Sequence, residues 1–304
     1  MKLLGSGTYG TVSLMDWDGQ PAALKVAKSS EFSEMFESEG NVLSLLNGAG
    51  GAPLLLHRSV NPPSLVTTYK GNQTLLDVLR NPQYDLLDVG LQVGIKLNEI
   101  HAAGLVHNDI KCDNIMIQGP PHKPNISIID YGLASRNRVK IFLEEDSSID
   151  TTYAPEVLQK KASTFASDVY SYGKLMLEIQ KQLPEQHPSL DKLLQKATNK
   201  TPRRRPTLPI FLRRLREVIS EISTSVKNSC KKQDTRAASE SIEEQHRMEL
   251  RHRQTKRDRS PTPNISTEYR RKLRQRPKKR QQIPEPLEAN NRHLGRNKRR
   301  KIAL

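Results

Sequence analysis

Cysteine, tryptophan and long apolar runs are scarce in this 304-residue sequence, which has two cysteines, one tryptophan and 5% aromatic residues. Two cysteines cannot build the disulfide framework of a small secreted domain, so the sequence favours a reducing compartment. No apolar run is long enough to span a membrane, and the first residues, MKLLG, are too few for the apolar part of a signal peptide. These absences predict a protein of the nucleus or the cytosol without membrane contact.

Acidic residues are scarce only in the last part of the chain, residues 227–304. Residues 227–304 contain 24 Lys or Arg and 9 Asp or Glu, a net charge of +15. This leaves 25 basic and 24 acidic residues, a net charge of +1, for residues 1–226. A nearly neutral body argues against nucleic-acid binding by that part, whereas a strongly basic segment is typical of contacts with phosphates.

Apolar residues are also sparse after Ser223, where Tyr269 is the one aromatic residue. Such a segment cannot bury enough apolar surface to offset the entropy of ordering, so we predict a basic, disordered tail over residues 223–304. Within it, residues 237–257 have the composition of a solvated helix with opposite charges four residues apart.

The body shows two patterns in succession. Residues 2–70 consist mainly of short apolar or β-branched runs, which indicate strands, and one helical pattern interrupts them at 34–46. Beyond Gly71 helical spacing dominates, apart from short strands and loops at 105–135. We predict an α+β fold with a small strand-rich lobe, a short connection and a larger, mainly helical lobe. Their predicted bounds are 1–68, 69–72 and 73–222.

A glycine-rich turn, GSGTYGTV, occupies residues 5–12 between two strand-like runs. Glycine lets backbone amides approach a phosphate closely, although an ordinary hairpin turn would have the same composition. No helical pattern follows closely, which argues against a P-loop or a dinucleotide-binding fold. Lys25 ends the next strand, and Glu39 is favoured over Glu37 as its ion-pair partner on the following helix. This pair would hold the ammonium group where it can contact phosphates.

A dense polar stretch, HNDIKCDN, occupies residues 107–114 between apolar neighbours. Asp109 can accept a proton or orient a hydroxyl, and Lys111 can neutralise developing charge. Asn114 offers a carbonyl oxygen to a metal, and Asp130 follows an apolar strand sixteen residues later. Carboxylate and amide oxygens suit a hard ion such as Mg²⁺.

The order of these motifs resembles the eukaryotic protein kinase family, whose parts serve as a standard template for phosphoryl transfer. Over residues 2–222 the motifs are the glycine turn, the strand lysine, the helix glutamate, HNDIKCDN, IIDYG, TTYAPEVL and SDVYSYG. The resemblance implies a bilobal protein-kinase-like fold that uses ATP and Mg²⁺ to phosphorylate protein substrates. A lysine two residues after Asp109 is typical of the serine/threonine class, and the short segment from Asp168 to Arg205 is reminiscent of compact kinases of large DNA viruses.

The resemblance also implies a set of nucleotide contacts. Gly5, Gly7 and Gly10 would cover the phosphates, and Lys25, paired with Glu39, would contact them. Residues around the adenine and the connection between the lobes would be Leu4, Val12, Ala23, Thr67, Tyr69 and Met116.

For catalysis, the resemblance implies that Asp109 is the base and that Lys111 steadies the transferring group. Asn114 and Asp130 would hold Mg²⁺. Two further roles implied by the resemblance are structural, namely an ion pair between Glu156 and Arg205 and the anchoring of the catalytic-loop backbone by Asp168.

Three residues depart from the family pattern. Asn108 stands where an arginine usually meets a phosphate on the activation loop, which predicts activity with little dependence on phosphorylation. The residues concerned are Ser147, Ser148, Thr151 and Thr152. Tyr131 replaces a phenylalanine. Tyr153 lies directly before Ala154, one residue closer than expected, which leaves Thr151 and Thr152 both open as the threonine that meets the substrate.

The basic clusters at 270–280 and 296–301 match nuclear localisation signals and predict contact with the nuclear import machinery. They are also compatible with non-specific contact to nucleic acid or chromatin through phosphates. We therefore expect a nuclear protein, also present in the cytoplasm, and in the host nucleus if it is viral; no sequence feature indicates an oligomer. The alternative function is a pseudokinase scaffold with a nucleic-acid- or chromatin-tethering tail.

Overall fold

A computed structural model describes residues 1–141, 143 and 152–257 of the chain. The chain divides into two units, Met1–Thr235 and Arg236–Leu304. The first unit has the predicted α+β architecture, with a small sheet-containing lobe and a larger helical lobe. None of the helices in the described ranges combines the length and the apolar character that are needed to span a bilayer.

The small lobe is built on a five-stranded antiparallel sheet with the strand order β1-β2-β3-β5-β4. The strands are β1 (Lys2–Ser6), β2 (Gly10–Trp17), β3 (Gln20–Ala27), β4 (Leu55–Val60) and β5 (Pro63–Thr68). Val12 pairs with Lys25, which pairs with Leu65, and Ala23 pairs with Thr67. Because paired residues share a face and side chains alternate along a strand, these five side chains lie on one face of the sheet.

Helix α1 (Ser33–Leu46) packs against this sheet. Phe36, Leu43 and Leu46 are buried at helical spacing. Glu39 lies on the same face and is 5% exposed, which is costly for a carboxylate unless a cation pairs with it. The helix ends at Asn47 in the left-handed region (φ 44°), whose backbone N–H donates to Leu43 O at 3.0 Å.

The larger lobe is mainly helical. Its helices are α2 (Leu75–Val78), α3 (Leu86–Ala102), α4 (Pro155–Leu158), α5 (Phe165–Gln180), α6 (Pro188–Ala197) and α7 (Leu208–Arg257). Helices α3 and α5 pack closely because Gly94 has no side chain. A Cβ there would lie 2.5 Å from the Tyr172 hydroxyl oxygen and 2.4 Å from Leu212 Cδ2. The Tyr172 hydroxyl donates to Gly90 O at 2.7 Å, and its ring meets Phe211 edge-on at 5.3 Å.

Short strands carry the loops on the side of this lobe that faces the small lobe. They are β6 (Leu105–Val106), β7 (Ile115–Gln118), β8 (Asn125–Ile128) and β9 (Ser135–Arg136), and they pair as β6-β9 and β7-β8. The polar stretch at 107–114 follows β6 directly, and Asp130 follows β8. Pairing of β7 with β8 therefore brings two distant parts of the sequence to one place.

The last helix corrects the boundary predicted at residue 222. Helix α7 begins at Leu208, buries Phe211 and Leu215, and continues to Arg257. Residues 223–257 are therefore helical, including the 237–257 segment predicted as a solvated helix. The low apolar content was the basis for predicting disorder there. Helix propensity, however, depends on residues such as Glu, Lys, Arg, Gln and Ala rather than on burial. The part of the predicted tail at 258–304 lies outside the described residues.

Candidate active site

A cleft of about 1160 Å³ is lined by residues of both lobes within the first unit. All the residues predicted to bind nucleotide or metal or to act in catalysis line it. They are Leu4, Gly5, Gly7, Gly10, Val12, Ala23, Lys25, Glu39, Thr67, Tyr69, Asp109, Lys111, Asn114, Met116 and Asp130. The connection between the lobes, predicted at 69–72, follows the end of β5 at Thr68.

The glycine-rich stretch forms the hairpin turn between β1 and β2, where Gly7 N–H donates to Gly10 O at 3.0 Å. A Cβ on Gly10 would lie 2.6 Å from Val26 O, so a side chain does not fit there without a shift of the backbone. Apart from the adjacent residues, the described part of the chain places no atom within 4 Å of a Cβ built on Gly5 or Gly7. The turn therefore offers bare backbone on its open side, as contact with phosphate requires.

Lys25 joins the two lobes at the floor of the cleft. Its Nζ lies 2.8 Å from Glu39 Oε2 and 3.2 Å from Asp130 Oδ1. The predicted partner Glu39 is therefore confirmed over Glu37. Burial acts to lower the pKa of Lys25, but the carboxylates of Glu39 and Asp130 outweigh it and raise this pKa above its usual value. The lysine is thus a fixed positive charge at neutral pH.

The backbone of the polar stretch is fixed by Asp168 on α5, as predicted. Its carboxylate is fully buried and accepts the backbone N–H groups of His107 and Asn108, each at 2.8 Å. His101 Nε2 also lies 2.8 Å from this carboxylate. A carboxylate that accepts several hydrogen bonds in a buried place holds its partners in one geometry.

His107 is held in one tautomer beneath the loop. Its Nδ1 accepts the Asp109 N–H at 3.2 Å, so its Nε2 carries the proton donated to Ile129 O at 3.1 Å. Burial lowers the pKa of His107, although the carboxylates of Asp168, Asp109 and Asp130 oppose this effect. The neutral ring therefore links the loop to the end of β8 as a structural element.

The Asp109 carboxylate has a defined partner on each oxygen. Oδ2 accepts from Asn114 Nδ2 at 2.8 Å and lies 3.0 Å from Lys111 Nζ. Oδ1 accepts the Tyr153 hydroxyl at 3.1 Å. Asp109 is 7% exposed yet lines the cleft, so its carboxylate is oriented and still reachable from the cleft.

Asn114 and Asp130 are suited to a hard cation that also binds phosphates. Asn114 O accepts Ile129 N–H at 2.9 Å, which ties Asn114 to the residue before Asp130. The Asp130 side chain is 48% exposed, and its backbone lies in the left-handed region at φ 63°. Among the described residues, no group of three or more His, Cys, Asp or Glu could hold a metal alone. Mg²⁺ commonly takes one or two protein oxygens and completes its shell with phosphates and water, which this pair fits.

Asn108 is a junction of neutral hydrogen bonds. Its Nδ2 donates to Leu133 O at 2.8 Å and to Ser135 Oγ at 3.0 Å, and its Oδ1 accepts from the Ser163 hydroxyl. The residue is 4% exposed and has φ 70°, a left-handed conformation that asparagine tolerates better than most residues. Asn108 therefore links the polar stretch at 107–114 to the segment after Asp130 and to the segment before α5.

The predicted ion pair between Glu156 and Arg205 is confirmed. Arg205 Nη1 and Nη2 lie 2.6 and 2.7 Å from the two Glu156 carboxylate oxygens, and the Arg205 side chain is fully buried. Burial acts to raise the pKa of Glu156, but hydrogen bonds from Arg205 and Ser167 outweigh it and lower this pKa. The pair fixes the segment that carries Tyr153 to the base of the larger lobe.

Two features of the site were missed from the sequence. The first is the contact of the Tyr153 hydroxyl with Asp109. The choice between Thr151 and Thr152 as the threonine that meets the substrate stays open, because Thr151 lies outside the described residues. The displaced tyrosine was the available signal. The second is the contact of Ser163 with Asn108, for which the sequence gives no signal, because a contact across 55 residues depends on the tertiary fold. The hydroxyl of Tyr131 donates to Ile128 O at 3.1 Å, so this replacement adds one buried hydrogen bond.

A nucleotide-sized cleft between a five-stranded sheet and a helical lobe, with these side chains at its floor, defines the bilobal protein-kinase fold. Comparison with protein families agrees, since residues 1–239 match the protein kinase domain. The chain therefore belongs to the protein kinase family, whose members are transferases.

Relatives with serine/threonine-kinase names include one of Arabidopsis thaliana, 29% identical over 193 residues, and a kinase/receptor of Acanthamoeba polyphaga mimivirus, 29% identical over 202 residues. These alignments cover 58% and 60% of this chain and 23% and 12% of the relatives. A dual specificity protein kinase of Dictyostelium discoideum is 24% identical over 264 residues, 73% of this chain and 37% of that protein. The chain thus spans less than two fifths of the length of each of these relatives.

Proposed function

We propose that this protein is an active serine/threonine protein kinase that transfers the γ-phosphoryl group of ATP to hydroxyls of protein substrates. The observation that carries the proposal is the oriented Asp109 carboxylate, with Lys111 and Asn114 on one oxygen, in the same cleft as Lys25. The serine/threonine names of relatives and the lysine two residues after Asp109 support this acceptor class.

In the proposed mechanism the chain positions two reactants and neutralises charge, which provides most of the catalysis in phosphoryl transfer. Gly5, Gly7 and Gly10 cover the ATP phosphates with bare backbone, and Lys25 contacts them from below. Bound Mg²⁺, held by Asn114 and Asp130, would neutralise the phosphate oxygens. The adenine lies between apolar side chains of the two lobes and beside the connection between them. The apolar side chains are those of Leu4, Val12, Ala23 and Met116, while Thr67 is the gatekeeper at the end of β5 and Tyr69 belongs to the connection between the lobes.

On the acceptor side, Asp109 orients the substrate hydroxyl and takes its proton. The hydroxyl oxygen forms the new bond to the γ-phosphorus as the bond to the β,γ-bridging oxygen breaks, and ADP leaves. Lys111 lies beside Asp109 Oδ2 and steadies the charge on the transferring group.

Purified protein incubated with ATP and Mg²⁺ tests the proposal. We expect phosphate transfer to a basic generic substrate, with phosphoserine or phosphothreonine as the product. Nucleotide binding without any phosphate transfer would contradict the proposal and favour the pseudokinase scaffold.

We further propose that activity does not depend on phosphorylation of the activation loop, whose residues 144–151 lie outside the described residues. An arginine at position 108 would need a phosphate as its partner, whereas Asn108 has neutral partners on two other segments without one. Phosphatase treatment, verified by intact mass, should therefore leave kcat within about twofold of the untreated value. A loss of activity that ATP preincubation restores would contradict this independence.

Matched variants separate the hydrogen bonds of Asn108 from its backbone conformation. Asn108→Gly removes the hydrogen bonds and keeps the left-handed conformation free of strain, so we expect unfolding to become easier by about 2 kcal/mol. Asn108→Ala should cost about 1 kcal/mol more, because of its Cβ. Denaturant unfolding measures both, and equal stability of Asn108→Gly and the wild type would contradict the network.

For the basic segment we propose nuclear localisation through binding of the import machinery, with non-specific nucleic-acid or chromatin contact as a salt-dependent addition. Replacing the Lys and Arg of 270–280 and 296–301 with Gln should move a fluorescent fusion from the nucleus to the cytoplasm. The same replacement should leave kinase activity unchanged, because both clusters lie outside residues 1–239. Unchanged nuclear fluorescence would contradict the proposed signal.

A further inference from the structure

The two oxygens of the Asp109 carboxylate differ in their surroundings. Oδ2 has two donors, Lys111 Nζ at 3.0 Å and Asn114 Nδ2 at 2.8 Å, which come from its own loop. Oδ1 accepts the Tyr153 hydroxyl at 3.1 Å, which comes from a different segment. Because two donors already occupy Oδ2, a substrate hydroxyl has better access to Oδ1. The acceptor and the Tyr153 hydroxyl therefore share one oxygen.

Tyr153 is fixed by its neighbours in the chain. Thr152 O accepts the Ser171 hydroxyl at 2.8 Å, and Ala154 is 1% exposed in a cluster with Ile141 and Val157. The ion pair of Glu156 with Arg205 follows within three residues. Since the backbone is held on both sides, the tyrosine ring approaches Asp109 from a defined direction.

A phenol that donates to Oδ1 brings its ring to the acceptor side of the carboxylate. A substrate tyrosine would have to place a second ring at the same oxygen, beside the first. A serine or threonine carries its hydroxyl on an aliphatic carbon and needs much less space. The ring of Tyr153 thus favours a substrate with an aliphatic hydroxyl. The hydroxyl of Tyr153 fixes the plane of the Asp109 carboxylate.

We propose that Tyr153 is the acceptor-side positioning residue of this kinase, which orients Asp109 through Oδ1 and restricts the substrate to serine and threonine. This inference deepens the proposed function and rests on it.

The test compares two peptides that differ only in a Ser or a Tyr acceptor. Tyr153→Phe keeps the ring and loses the hydroxyl, so kcat for the Ser peptide should fall about 10- to 100-fold, with KM for ATP and the Ser preference unchanged. Tyr153→Ala loses both, so kcat should fall similarly and the ratio of Tyr to Ser phosphorylation should rise at least about tenfold. Tyr170→Phe, which removes a tyrosine hydroxyl elsewhere, should match the wild type.

Three results would overturn the proposal: wild-type kcat in Tyr153→Phe, an unchanged acceptor ratio in Tyr153→Ala, or stoichiometric phosphate on Tyr153 itself. The last result would make this tyrosine a substrate. A KM for ATP equal to that of the wild type would show that the variants keep a folded nucleotide site, so that the changes in kcat and in acceptor ratio arise on the acceptor side.

A measurement without catalysis separates this inference from the proposed function. A double-mutant cycle of Tyr153→Phe with Asp109→Ala in denaturant unfolding should show coupling between the two residues. Additive effects would overturn the contact even in an active kinase, whereas coupling in an inactive protein would contradict only the kinase assignment.

Discussion

Asp109→Asn should lower kcat about 10²- to 10⁴-fold while the protein still binds ATP. An amide keeps the shape of the side chain and can still accept the Tyr153 hydroxyl, but it cannot take a proton and brings an NH₂ group close to Lys111 and Asn114. Release of ADP in the presence of a peptide substrate measures kcat. The stabilisation of folding by added nucleotide measures binding.

Asp18→Asn is the matched control for this change. Asp18 is exposed in the turn between β2 and β3, at φ 52°, a conformation that asparagine accepts as well as aspartate. Its kcat should equal that of the wild type. Substantial turnover by the Asp109 variant would remove Asp109 from the role of base and leave it as a structural carboxylate.

Arg205→Met should destabilise the protein by about 3–5 kcal/mol, because it leaves the Glu156 carboxylate buried without its cation. The change also removes donors to Asn199 O at 2.7 Å and Ala166 O at 2.8 Å. Denaturant unfolding of the two proteins measures the difference. Arg204→Met, an exposed neighbour, should stay within about 0.5 kcal/mol of the wild type.

Two further observations separate this ion pair from simple packing. Adding Glu156→Leu to Arg205→Met should recover part of the lost stability, since no buried carboxylate then remains. Because the folded state lowers the pKa of Glu156, the pair stabilises the wild type above the ordinary pKa of 4.5. The difference between the wild type and Arg205→Met should therefore shrink as the pH falls below about 4.5. A difference that is independent of pH would contradict this account.

The parts of the site that could be predicted are those whose partners follow a fixed order along the chain. Glu39 and Asp168 were assigned from their places in the motif series, and each makes the predicted contact with its partner. Strand register then placed Val12, Ala23 and Lys25 on one face of the sheet. The contact predictions for Glu39 and Asp168 succeeded because local pattern and global fold demand the same residue at the same position.

The remainder depends on contacts that no local pattern carries. The sequence shows that an asparagine stands at position 108 where the family usually has an arginine, but it does not show what Asn108 contacts. Its hydrogen-bond partners come from the segment after Asp130 and from the segment before α5, which only the folded chain brings together. Tyr153 was noticed as a displaced residue, and its hydroxyl reaches Asp109 across 44 positions. The length of α7 was underestimated for a different reason, since the sequence after Ser223 is too poor in apolar residues to show an apolar stripe at helical spacing.

The contact between Lys25 and Asp130 has a mechanical consequence. Lys25 belongs to the sheet of the small lobe, and Asp130 follows a strand of the larger lobe, so their 3.2 Å ion pair connects the two lobes at the floor of the cleft. Asp109, in contrast, is tethered by way of Asp168 to α5 and stays with the larger lobe. Any movement that separates the two lobes would therefore have to break this ion pair, whereas the contacts that orient Asp109 lie within the larger lobe and would move with it as one body.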